Sequence, residues 1–238
     1  MKDNKVNIRP NVTMLSVLKF LEYETWFALA EFVDNSIASY QLNEIKLKKI
    51  HGKDFQLEVN IEIIDSENKI IIRDNAAGIN AIDYPRAFRA AEIPLDTSGL
   101  SEFGMGMKSA ACWFSDFWSV RTTALDEPVE KTIRFDMNKI FEDKLEELEF
   151  ESKTTDKNFH YTIIELCNVN KMPRRKGLGK VKSHLTSIYR EFIRKGILKI
   201  QLDGELAFQE PKILNVARYD ETINRQTTLW LSSSEIRP

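Results

Sequence analysis

Two alternating runs, LEVNIEIID (Leu57 to Asp65) and KIIIRD (Lys69 to Asp74), joined by Ser-Glu-Asn, constrain the fold most. Apolar residues at every second position put one face of each run against a core. The short polar join makes the two an antiparallel strand pair. Upstream, Trp26, Leu29, Ala30, Val33, Ile37 and Tyr40 fall on one stripe at 100° per residue, which predicts a helix over 26–40. Glu31, Asn35 and Ser39 lie opposite, one turn apart.

The rest of the chain continues the alternation. Helices are expected near Tyr84 to Ala91, Met105 to Phe114 and Val181 to Arg194. Strands are expected at FWSVRTT (Phe117 to Thr123), TIRFDM, HYTIIELCNV and ILKIQLDG. A polar, breaker-containing segment runs from Ile93 to Phe103. Strands and helices in this irregular order predict an α+β domain, a mixed sheet covered by helices on one face. A first domain over 1–210 is expected, with 211–238 a tail or the start of a second.

Composition narrows the function classes. A net charge of −2 over 238 residues gives no general argument for nucleic acid or membrane. No stretch approaches the roughly 20 apolar residues that span a bilayer, and MKDNKVNIRP lacks a signal-peptide core. The cytoplasm is the expected compartment. Cys112 and Cys167 sit in apolar runs and read as core thiols, and three scattered histidines cannot build a histidine-rich metal site.

The segment FGMGMKSAA (Phe103 to Ala111) fails two familiar phosphate-loop patterns. Ser109 stands where a dinucleotide fingerprint needs its third glycine, and Met105 stands where a Walker loop needs lysine. What remains is a glycine-bearing helix entry whose first amides attract an anion, with Lys108 one turn in. The alternative is a helix start whose glycines serve packing alone.

Two further polar patches precede it: AEFVDNSI, with Glu31, Asp34 and Asn35 on one helical turn, and IIIRDNAAGIN, an apolar strand ending in Asp74 before a small-residue turn to Gly78. Acidic helix, strand–Asp–turn–Gly, and a loop ending in GxGxxK, in that order, resemble the GHKL ATPases (gyrase B, heat-shock chaperone, histidine kinase and MutL). The lysine-bearing loop most resembles the microrchidia-like branch and related bacterial ATPases. The resemblance covers about 15–168 and implies a Bergerat-type α/β sandwich that binds ATP with Mg.

The resemblance gives each residue a role. Glu31 is implied as the general base toward water, on a face flanked by Phe27 and Phe32. Asn35 supplies the magnesium ligand. Asp74 accepts from the adenine amino group, Gly78 passes close to the base, and Thr162 reaches its edge, although Thr162 also reads as an ordinary strand residue. The loop 92–108 is implied to be an ATP lid, with Gly104, Met105, Gly106, Met107 and Lys108 at its hinge, near the phosphates. Three positions depart from the pattern: Ala38 for an aspartate, Ala76 for a glycine and Tyr161 for a glycine.

Slow hydrolysis is expected, with nucleotide-driven lid closure and dimerisation acting as a switch. Residues 1–20 would contribute to a homodimer by analogy. Arg218 and Arg225 are conceivable distal partners for the phosphates. Alternatives are a non-hydrolysing ATP-binding module and the ATP-binding half of a protein histidine kinase; the settings of His51, His160 and His184 weaken the latter. The basic run from Lys171 to Lys182, with Arg174 and Arg175, reads as a solvated loop and helix start, or as a contact to DNA.

Overall fold

A computed structural model describes residues 14–89, 105–174 and 176–206. Strands β1 (Leu57–Ile64) and β2 (Lys69–Asp74) pair antiparallel, with Val59 opposite Asp74 and Ile64 opposite Lys69. They lie inside an eight-stranded sheet among the described residues. Its other strands are β3 (Phe117–Thr123), β4 (Val129–Asp136), β5 (Phe150–Thr154), β6 (Tyr161–Cys167), β7 (Leu198–Leu202) and β8 (Glu205–Leu206). The spatial order is β5-β4-β3-β6-β2-β1-β7-β8, and every pairing is antiparallel except β1 with β7. The fold is thus α+β with a mixed, mostly antiparallel sheet.

Alternation sorts the two faces. Val59, Ile61, Ile70, Ile72, Val120 and Leu166 are buried on one of them. On the other, Arg73 meets Glu62, Lys69 meets Glu165 and Lys199 meets Glu58. Helix α1 (Leu15–Leu18) precedes α2 (Thr25–His51); α3 (Tyr84–Phe88), α4 (Gly106–Phe114) and α5 (Met137–Glu142) follow, then α6 (Lys176–Ile188) and α7 (Arg190–Arg194). The α2 residues Leu29, Val33 and Ile37 join the same core cluster as Ala110, Phe114 and Leu185. Helix α2 therefore packs between the sheet, α4 and α6.

Several boundaries differ from expectation. Helix α2 runs eleven residues past Tyr40, because 41–51 is polar but rich in helix formers and carries the Lys48–Glu44 pair at 2.6 Å. The expected helix over 181–194 starts at Lys176 and breaks at Tyr189 into α6 and α7. Strand β5 was not expected, since FESKT is exposed along its whole length and has no apolar alternation. The expected tail or second domain over 211–238 lies outside the described residues.

Candidate functional site

Strand β2 delivers Asp74 to the top of the sheet. Its Oδ2 accepts from Ser36 Oγ at 2.8 Å, and its Oδ1 accepts from the amides of Ala76 at 3.0 Å and Thr162 at 3.3 Å. Burial pushes the carboxyl up to about 6, even though all three donors favour its ionised form. Thr162 pairs with Asp74 across the β2–β6 ladder, so the two stand side by side.

The turn after Asp74 is fixed from several sides. Ala76 is buried, and it is not among the residues with positive φ, so alanine is accommodated where glycine is common. His160 Nδ1 meets the Ala76 carbonyl at 2.7 Å. Gly78 is different. Its φ is +71°, and a Cβ there would stand 2.0 Å from the Thr123 carbonyl oxygen. Thr122 Oγ1 accepts from the next amide, Ile79 N, at 2.9 Å and donates to the Tyr161 carbonyl. Gly78→Ala is therefore expected to cost about 3 kcal/mol or more of stability, because both torsion and backbone contact oppose it. Urea unfolding checks this; a midpoint equal to wild type would contradict it.

Helix α2 presents the other polar groups. Glu31 is half-buried, and its carboxyl is held above the usual range, first by burial and then by the Asp34 carboxylate. Asn35, one turn on, donates from Nδ2 to the Glu31 carbonyl, and its amide carries a neutral oxygen of the type that suits a hard cation. Helix α4 begins directly against Glu31: a Cβ on Gly106 would lie 2.0 Å from Glu31 Oε2.

A cavity of about 200 Å³ joins these parts. Asn35, Asp74, Gly78, Gly106, Met107 and Thr162 all line it. Glu31 is not among the lining residues; it packs against Gly106, which is. Met105 stands at the N-cap of α4 and packs against the core. Lys108 does not line the cavity: it is buried, and its Nζ donates to the carbonyls of Arg86 at 2.9 Å and Ala87 at 3.2 Å. Gly104 and most of the expected lid over 92–108 lie outside the described residues.

Sequence reasoning missed part of the wall. Ser39, Asn43 and Lys46 continue the α2 side, while Asn80, Asp83 and Arg86 also line the cavity. Ser36 was missed too, although a serine inside a helix must spend its hydroxyl. One acceptor, the Phe32 carbonyl at 3.1 Å, is local and foreseeable. The other, Asp74, is 38 residues away and is not.

A family model described as histidine kinase-, DNA gyrase B- and HSP90-like ATPase matches residues 23–166, more than half of the chain. The chain belongs to this family. All the α2 and β2 groups described above fall inside the matched range, as do Gly106 and Thr162. Comparison with curated proteins finds no sequence match. Among solved structures, the ATPase and transducer domains of DNA topoisomerase II from Balamuthia mandrillaris align with a TM-score of 0.54 and 13% identity. The alignment covers 76% of this chain and 47% of that one, so this chain spans about half of that protein's length. At that identity the likeness speaks for the GHKL fold.

Four described side chains of the basic run make contacts within the molecule. Lys171 lies over the Trp113 ring at 4.1 Å, while Arg174, Lys180 and Lys182 pair with Asp65, Glu24 and Glu205. No helix among the described residues is long and apolar enough to cross a membrane.

Proposed function

We propose that this GHKL domain binds ATP with magnesium in the α2–β2–α4 cavity and hydrolyses it slowly. The observation that carries the reading is that Asp74, Asn35 and Gly106 line one cavity while Glu31 packs against Gly106. Asp74 accepts a hydrogen bond from the adenine amino group; guanine presents a carbonyl there and would leave the carboxylate facing an acceptor. Ser36 and the Ala76 amide keep that carboxylate oriented.

Phosphates would lie toward the start of α4, whose first-turn residues Gly106 and Met107 line the cavity. Asn35 Oδ1 fits magnesium, as a single neutral oxygen suits an ion that takes the rest of its shell from phosphates and water. The bound ion supplies charge neutralisation at the phosphates. Glu31 takes a proton from water, and its raised pKa brings it nearer to the working pH of a base. Lys108 reaches phosphate only if it leaves the Arg86 and Ala87 carbonyls. Nucleotide-dependent closure of 92–108 and self-association complete the proposal. Val17 and Phe20, exposed on and just after α1, give an apolar surface for the latter.

Calorimetric titration with ATP and magnesium, beside steady-state turnover, tests the reading; no heat of binding up to millimolar ATP would reject it. A second variant examines the Glu31–Gly106 contact. The carboxylate is the end of a flexible side chain, so Gly106→Ala is expected to fold normally and swing Glu31 aside. Turnover should fall about tenfold or more, since small misplacements of a catalytic group are costly. Unchanged turnover in Gly106→Ala would mean that the contact does not aim the base.

A further inference from the structure

Trp26, Ala30 and Asp34 lie at i, i+4 and i+8 on α2 and form a stripe adjacent to Glu31. Helix α6 and the residue after it, Tyr189, engage this stripe at both ends. His184 stacks on Trp26 with ring centroids 4.4 Å apart. Where α6 breaks, the buried Tyr189 points its hydroxyl at Asp34 Oδ1, 2.7 Å away, and at the Ala30 carbonyl, 3.0 Å away. A phenol has one proton to donate, and the shorter contact to a carboxylate is the stronger claim on it.

We propose that Tyr189 is a positioning residue for Glu31, its hydroxyl clamping the α2 turn from Ala30 to Asp34 so that the intervening carboxylate meets Gly106. The geometry supplies the reason. Asp34 and Glu31 are three residues apart on one helix, close enough for their carboxylates to repel. Tyr189 draws Asp34 toward α6 and α7, while Glu31 is left against α4. Removing the hydroxyl leaves a part-buried carboxylate without that donor, and Asp34 is then free to turn toward Glu31. Tyr189 is not among the residues that line the cavity and its hydroxyl partners are on α2, so its effect passes through α2.

The inference rests on Glu31 serving as the base, and its test separates the two claims. Tyr189→Phe should lower kcat about tenfold, with KM and the calorimetric Kd for ATP within about twofold of wild type. Val181→Ala, which opens a void at a buried α6 position in the same buttress, should lower Tm and leave kcat within about twofold. In an Asp34→Asn background, adding Tyr189→Phe should change kcat by less than about twofold, because the stray charge is gone. The 13C carboxyl resonance of Glu31, assigned with Glu31→Gln, should move in Tyr189→Phe and stay in Val181→Ala. If wild type shows no turnover, the hydrolysis reading fails and the resonance alone decides the positioning role. An unmoved resonance, a kcat within twofold of wild type in Tyr189→Phe, or an equal loss in Val181→Ala would overturn the proposal.

Discussion

Replacing Glu31 by glutamine is expected to abolish turnover, by a factor of about 100 or more, while ATP affinity stays within about twofold. Glutamine keeps the shape that fits against Gly106 and removes only the proton acceptor. General-base catalysis contributes about 10²–10⁴ in rate, so the loss should fall in that range. The pH profile carries the sign. Burial and the Asp34 carboxylate hold the Glu31 pKa above that of an ordinary glutamate, and only the ionised form accepts a proton. The acid limb of kcat/KM should therefore lie above the ordinary carboxylate range, with activity falling as pH drops through the raised pKa. Asp34→Asn removes the second cause but not the first, so the limb should move down part of the way. Steady-state rates from pH 4 to 8 for wild type, Glu31→Gln and Asp34→Asn decide this. A glutamine variant with wild-type kcat would remove Glu31 from the mechanism.

The parts of this site that a sequence reveals are those whose chemistry is local. Asp74 ends an apolar strand, which makes it conspicuous, and Glu31 and Asn35 repeat at one-turn spacing on the polar side of an apolar stripe. On that polar side, Asn35 and Ser39 line the cavity. What stays hidden depends on distant pairing. The Gly78 requirement comes from Thr123, 45 positions later in the chain, and Ser36 acquires its second acceptor from Asp74. Tyr189 reads as one more apolar position of an amphipathic helix, and nothing near it announces that its hydroxyl reaches Asp34, 155 positions away. Among the elements, β1 and β3 are legible because burial imposes a period. Strand β5 is not, because an exposed edge imposes none.

Asp74→Asn is expected to weaken ATP binding by about 100-fold while making the free protein more stable at neutral pH. The two effects share one cause. The asparagine amide can present its nitrogen to the adenine amino group, donor against donor, and the loss of a charge-assisted hydrogen bond adds to that mismatch. In the free protein the same carboxyl has a pKa raised from 3.8 to about 6 by burial. A folded-state pKa above the unfolded one means that the protonated form is the better tolerated. The associated stability is fully present below about pH 4, is lost as pH rises through 6, and is absent at pH 7. Asparagine stays neutral throughout. The full shift corresponds to about 3 kcal/mol at roughly 1.4 kcal/mol per unit, and water in the open cavity offsets part of it. A gain of about 1–2 kcal/mol at pH 7, shrinking to none near pH 4, is the expected signature. Urea unfolding of both proteins across that range, beside calorimetric titration with ATP, measures both sides. A variant that binds ATP as wild type does would show that Asp74 does not read the base. One destabilised equally at every pH would show that the burial of its charge is not what the rest of the fold works against.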